Sequence, residues 1–194
     1  MARPKQRTPE LRDHVVVVAQ QTLAATGVEG FTTKQIALDA DTSVPAIYEM
    51  FGDKAGLVRE LFFVGFAKLA EALSTVPENE DPRTELHQLA QAFRRFSLAN
   101  PSLSNLMYSR PFASFSPTAE DLAKADTSLR IVLRIVKRCI KANQLRGNPI
   151  DVAHVLVGLL QGLVAQESAG WLGSSTASCN RRWELAITSF FDGA

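Results

Sequence analysis

Apolar residues recur at steps of three and four along nearly the whole chain, a spacing that places them on one face of an α-helix. The strict alternation typical of half-buried strands is scarce. The pattern therefore predicts an all-α protein of about nine helices.

Three helices are predicted within the first 55 residues. The first helix ends at Gly27, which supplies a left-handed stop. The second begins after the capping residue Thr32 and ends at Asp41, a residue type that tolerates the left-handed conformation. The third begins after Ser43 and is broken by Gly52. These helices form a predicted head, residues 1–55.

The rest of the chain, residues 56–194, is predicted to form a helical body. Asp53 caps a fourth helix that runs from Lys54 to about Val76, and a polar linker follows. Five further helices are predicted, over roughly 83–99, 101–109, 118–144, 149–170 and 180–191.

The tight turn between the second and third helices is typical of a helix-turn-helix. Such helices cross steeply, so their inward positions must be small or apolar, as Ala37, Ala40, Val44 and Ile47 are. The outer face of the third helix is then free to enter the major groove of DNA.

Three stretches resemble the DNA-binding domain of the TetR family of transcriptional regulators. They are GFTTKQIA (30–37), SVPAIY (43–48) and MFGDKAGL (50–57), and they include the family's Tyr-x-x-Phe-x-x-Lys core at 48, 51 and 54. The resemblance covers residue 8 to about residue 60. It implies a regulator, usually a repressor, that binds operator DNA as a homodimer and is released by a small molecule.

The predicted DNA-binding residues lie where the second, third and fourth helices begin, except that Tyr48 lies further along the third helix and reaches a phosphate with its hydroxyl. They are Thr33, Lys34, Ser43, Val44, Pro45, Ala46, Tyr48 and Lys54. Hydroxyl, backbone N–H and ammonium groups at helix starts suit phosphates, and small apolar side chains suit thymine methyl groups. Two acidic residues depart from the expected pattern. Asp41 stands where the family usually has Gly, and Glu49 either accepts a hydrogen bond from a cytosine amine or points away from DNA.

The charge balance limits where DNA can bind. The chain carries a net charge of +1, and residues 1–60 contain seven basic against eight acidic side chains. Binding must therefore come from a local surface. Arg3, Lys5 and Arg7 could follow the minor groove or form a disordered tail.

The predicted helix over 149–170 is apolar nearly all round, which requires cover on more than one side. A second subunit is the natural cover, and the alternative is the core of a monomer. Gly158 and Gly162 would let a partner helix approach closely. The predicted dimer interface comprises Leu156, Leu160, Leu163, Trp183, Ile187 and Phe190.

A ligand pocket is predicted from aromatic and soft side chains of the body. Its members are Phe93, Phe96, Met107, Tyr108, Phe112 and Gln161. Ordinary core packing is the alternative for each aromatic. The stretch 159–167 is similar to the Trp-x-x-x-His-Gly motif of one TetR subgroup, with Gln161 in place of the histidine and no tryptophan.

Other classes of function are disfavoured. The sequence has no glycine-rich phosphate loop, no paired metal-ligand spacing and no recognisable nucleophile, so we expect no enzyme, cofactor or metal. The N-terminus has no apolar signal region, and the run 152–165 is short for a membrane span, so we expect a cytoplasmic protein. A DNA-binding regulator without a ligand is the alternative.

Overall fold

A computed structural model describes residues 8–193, and within them the regular elements are ten α-helices and no strand. The all-α prediction is confirmed. The helices are α1 Pro9–Gly30, α2 Thr33–Asp39, α3 Val44–Phe51, α4 Lys54–Ser74, α5 Pro82–Ala99, α6 Pro101–Ser109, α7 Ala119–Ala125, α8 Thr127–Lys141, α9 Pro149–Ser168 and α10 Thr176–Gly193.

The helices belong to two compact units. Among the described residues, the first contains residues 8–66 together with Asn100–Ala125, and the second contains Ala67–Ala99 together with residues 126–193. Helices α6 and α7 therefore pack with the N-terminal helices, and α6 lies against α1. The predicted division of the chain at residues 55 and 56 stays a prediction.

Local capping explains the helix boundaries in the head. The Ser43 hydroxyl accepts from the N–H of Ala46, and Asp53 accepts from that of Gly56 at 2.7 Å. Asp41 adopts a left-handed φ of 48°, as predicted. Gly27 breaks α1 with a φ of 66°, but one more turn follows it, so α1 ends at Gly30 rather than at the predicted stop.

One predicted helix is divided in the structure. The pattern over 118–144 predicts a single helix, but α7 ends at Ala125 and α8 begins at Thr127. Neither glycine nor proline marks the break. The hydroxyl of Thr118 caps α7 by accepting from the N–H of Asp121, and the Asp121 carboxylate accepts from the backbone N–H and the hydroxyl of Thr118.

The second unit is held by buried apolar faces and two ionic clusters. Glu85 is fully buried on α5 and pairs with Arg134, at 3.1 Å, and with Arg138 on α8. Arg94 on α5 donates two hydrogen bonds, of 2.8 and 2.5 Å, to Glu167 on α9. Because an unpaired buried carboxylate is destabilising, these pairs fix α5 against α8 and α9.

Candidate nucleic-acid interface

Helices α2 and α3 pack through small and apolar residues. Ala37, Ala40 and Ile47 are buried, and Val44 is half-buried. The inward positions that the sequence indicates are therefore inward in the structure. This packing leaves the outer side of α3 open to solvent.

The leading turn of α3 presents small side chains. Ser43 and Pro45 are exposed, and Val44 and Ala46 are half-buried. All four side chains are short, so a base edge can come close to the helix backbone. This turn is therefore suited to direct contact with bases.

Two hydroxyl groups meet where α2 and α3 cross. Thr33, at the first position of α2, lies with its Oγ1 3.3 Å from the Tyr48 hydroxyl oxygen. Tyr48 is 42% exposed, so its side chain is accessible to a DNA phosphate while its hydroxyl contacts Thr33. Lys34, the next residue of α2, is also exposed. Hydroxyl groups beside a helix N-terminus form a suitable place for a phosphate.

Lys54 begins α4 and is less free than the sequence indicates. Its Nζ lies 5.6 Å from the centroid of the Phe31 ring and 5.4 Å from that of Phe112. Phe31 belongs to the helix-turn-helix stretch, but no pattern in the sequence links it to Phe112, 81 positions later in the chain. The two rings hold the ammonium by cation–π attraction while the side chain stays half-buried.

Two groups of basic side chains bear on the charge around the head. Arg12 of α1 is bound to Glu60 at 2.6 Å and lies over the ring of Phe51, so this cation has partners in its own chain. The basic arm of Arg3, Lys5 and Arg7 lies outside the described residues.

Helix α9 has a buried face and an exposed apolar face. Leu156 and Leu160 are enclosed by their own chain, whereas Val155 is 62% exposed. Leu159 and Leu163 are half-buried between these faces. By length and composition alone α9 could cross a membrane, and 22% of its apolar stretch is buried in the protein; a single such helix is weak evidence of a membrane span.

Helix α10 continues this exposed surface. Leu185 is 66% exposed and Phe190 is half-buried, whereas Trp183 and Ile187 point into the core. Four of the six residues predicted for the dimer interface are thus buried within the protomer. A partner subunit would contact the exposed residues Val155 and Leu185, together with the half-buried Leu163 and Phe190.

Comparison with known proteins decides the family. The family described as "Bacterial regulatory proteins, tetR family" matches residues 15–61, and the one described as "Tetracyclin repressor-like, C-terminal domain" matches residues 86–190, more than half of the chain. The chain belongs to the TetR family. It is a TetR family transcriptional regulator, and the match over residues 15–61 covers the helix-turn-helix. Whether it belongs to the Trp-His-Gly subgroup stays a prediction.

Solved structures share the fold of this TetR protein. A protein of unknown function from Rhodococcus sp. RHA1 has a TM-score of 0.80 at 24% identity, covering 98% of both chains. A bacterial regulatory protein in the tetR family from Rhodococcus RHA1 has a TM-score of 0.69 at 18% identity, covering 93% of this chain and 97% of its own. A TetR variant from Acinetobacter baumannii AYE in complex with minocycline has a TM-score of 0.63 at 22% identity, covering 92% and 93%. Among curated proteins, none matches the chain significantly.

The residues predicted for the ligand pocket are divided between the two units. Phe93, Phe96 and Gln161 belong to the second unit, where both rings are buried. Met107, Tyr108 and Phe112 belong to the first unit. The Tyr108 ring packs on Phe66 with centroids 5.7 Å apart, and burial raises the pKa of its hydroxyl.

Two small grooves open on the second unit of this TetR protein, and the predicted pocket residues line neither. One, of about 270 Å³, lies between Arg83, His87 and Phe191, and the other, of about 320 Å³, lies between Val76, His87 and Arg95. Within residues 8–193, no group of three or more His, Cys, Asp or Glu side chains is placed to hold a metal ion. Polar or charged residues outnumber apolar ones in both linings, so the aromatic residues stay the predicted pocket for an apolar ligand.

Proposed function

We propose that this TetR protein is a homodimeric repressor that binds a near-palindromic operator and is released by a small apolar ligand. The observation that carries the proposal is the exposed leading turn of α3, with small side chains flanked by the hydroxyl pair of Thr33 and Tyr48. One surface therefore carries residues suited to contact bases, in the leading turn of α3, next to residues suited to contact phosphates, Thr33 and Tyr48.

In this proposal the residues of the surface divide into those that contact phosphates and those that contact bases. Thr33, Lys34, Tyr48 and Lys54 contact phosphates and set the position of the head on the duplex. The leading turn of α3, residues 43–46, contacts base edges, where its apolar side chains meet thymine methyl groups.

The dimer is supported by the exposed apolar face of α9 and α10. Val155 and Leu185 are among the most exposed large apolar side chains in the described residues. At Gly158 and Gly162 an added Cβ would meet no atom of the chain within 4 Å, so a partner helix could approach the backbone closely. A second copy suits this face because an isologous contact covers the same apolar patch on both subunits. The polar residues Asp151 and His154 on α9 are exposed as well, which disfavours a lipid environment.

The ligand is supported by the aromatic content of the second unit and by the related fold. Phe93 and Phe96 supply buried rings on α5, and Gln161 on α9 is a polar group that could orient a ligand. The related TetR variant from Acinetobacter baumannii binds minocycline, a small molecule. A thermal-shift screen of small apolar and aromatic compounds decides this part, because a ligand of the native state raises the melting temperature.

Selection from a random duplex pool, followed by footprinting, tests the DNA part. We expect protection of two half-sites with inverted symmetry, about 34–36 Å apart centre to centre, since two recognition helices related by a two-fold axis address successive major grooves. Protection of a single asymmetric half-site would contradict the dimeric operator complex. Enrichment of no duplex at all would contradict DNA binding.

A further inference from the structure

The loop between α6 and α7, residues 110–118, places two aromatic rings on the helices of the head. The ring of Phe112 lies against Phe31 with centroids 5.2 Å apart, and the ring of Phe115 lies against Phe62 at 5.5 Å. Phe112 is 5% exposed and Phe115 is 4% exposed. Two rings of equal size and burial thus anchor the loop at two different places.

Only the Phe112 ring reaches a residue of the proposed DNA surface. Lys54 Nζ lies 5.4 Å from its centroid and 5.6 Å from that of Phe31, so the ammonium is shared between two rings. We call Phe31, Lys54 and Phe112 the aromatic clasp. The two rings lie next to each other, with centroids 5.2 Å apart, so both attract the ammonium from the same side. This attraction restricts the directions in which the lysine can point, which leaves less side-chain freedom to lose on binding.

The clasp also adjoins the hydroxyl pair. Phe31 directly precedes Thr32, whose hydroxyl caps α2 by accepting from the N–H of Gln35 at 3.2 Å. Thr33 follows and lies beside Tyr48. A shift of Phe31 would therefore move the start of α2 and the hydroxyl that the helix presents.

We propose that Phe112 is a positioning residue for operator binding, acting through Lys54 and Phe31 without contacting DNA. The inference rests on the proposed function, in which Lys54 meets a phosphate. It adds a residue far from the helix-turn-helix in sequence to the set that determines affinity. It also makes the 110–118 loop a part of the chain whose displacement would weaken DNA binding.

The test compares Phe112→Leu with Phe115→Leu, two variants in one loop that lose equal rings. The probe is the duplex enriched by the wild-type protein from a random pool. Loss of a cation–π contact and an aromatic pair in Phe112→Leu is expected to weaken binding about five- to tenfold. The folding of both variants is checked by thermal melting. Phe115→Leu is expected to bind within about twofold of wild type, because the Phe115 ring shares no contact with Lys54 and distant sites act nearly independently. Phe112→Tyr keeps the ring and is expected to bind as wild type does. If Phe112→Leu unfolds at the assay temperature, Phe112→Met is used instead.

A double-mutant cycle separates positioning from general destabilisation. Lys54→Ala is expected to reduce the salt dependence of binding by about one unit in wild type and in Phe115→Leu, but by clearly less in Phe112→Leu. Equal effects of Lys54→Ala on the salt dependence in wild type and in Phe112→Leu would overturn the inference. Equal affinities of Phe112→Leu and wild type would overturn it as well. An unchanged salt slope for Lys54→Ala in wild type would also overturn it, because Phe112 would then act by another route. A wild-type protein that binds no duplex would instead overturn the proposed function, and the inference with it.

Discussion

Glu167 on α9 is the acceptor that joins three helices of the second unit. Its carboxylate accepts two hydrogen bonds from Arg94 on α5, at 2.8 and 2.5 Å, and one of 2.7 Å from the indole N–H of Trp183 on α10. The Arg94 and Glu167 side chains are 11% and 14% exposed. This carboxylate therefore links α5, α9 and α10 and, together with the buried apolar residues, holds the exposed faces of α9 and α10 in one arrangement.

Glu167→Gln tests this arrangement. Glutamine keeps the shape but loses the charge, and its amide group must face a donor of Arg94 or Trp183. Hydrogen bonds to charged groups are worth about 1.5–3 kcal/mol each, and one acceptor oxygen remains, so we expect the free energy of unfolding to fall by about 2–3 kcal/mol. For a chain of this size that is a decrease of about 4–12 °C in melting temperature at fixed protein concentration.

Glu184→Gln is the matched control on α10. Glu184 is bonded to His87 at 2.7 Å, but its side chain is 55% exposed. An exposed pair contributes about 0–1 kcal/mol, so we expect a shift of about 4 °C or less. Equal shifts in the two variants would refute the reasoning.

The pH dependence gives a second readout. Burial raises the pKa of Glu167, but the hydrogen bonds from Arg94 and Trp183 and the charge of Arg94 outweigh it, so the pKa is lowered below 4.5. A carboxylate whose folded pKa is lowered stabilises the protein above its unfolded pKa, and this contribution is lost as the pH falls through the folded value. Urea unfolding of wild type and Glu167→Gln should therefore differ fully at pH 7, begin to converge as the pH falls through the usual glutamate pKa, and converge fully only below the lowered folded pKa. A difference that persists unchanged at acidic pH would contradict the ionic role of Glu167.

Three further predictions concern the proposed DNA surface, the proposed dimer interface and the close packing at the start of α4. Lys54→Ala should weaken binding to every duplex and reduce the slope of log affinity against log salt by about one, measured by titration at several salt concentrations; a loss confined to one sequence would contradict a phosphate contact. Val155→Asp should dissociate the proposed dimer in sedimentation while leaving the helix content unchanged, since the side chain is exposed in the protomer. Leu122→Asp, an exposed apolar site on α7, is its control and should sediment as wild type does. Gly56→Ala should destabilise the protein by about 1–3 kcal/mol in thermal unfolding, because the added Cβ would overlap the carbonyl oxygen of Phe51; an unchanged melting temperature would contradict that close approach.

The helix-turn-helix could be predicted because its determinants are local. Caps such as Ser43 and Asp53 bond to backbone N–H groups three residues away, and Asp41 adopts its left-handed conformation within its own turn. The inward residues of α2 and α3 are separated by a few positions, so their spacing reports their contacts. The resemblance to the TetR family rests on this same short stretch.

Only the tertiary structure decided which apolar residues are enclosed and which aromatics meet the head. Leu160 and Val155 are both apolar residues of α9, but packing against α5, α8 and α10 buries the first and leaves the second exposed. Phe112 reaches Phe31 and Lys54 through a loop far away in the chain, which no periodicity records. Helical spacing reports the period of a helix, whereas the face that is covered depends on neighbours distant in sequence.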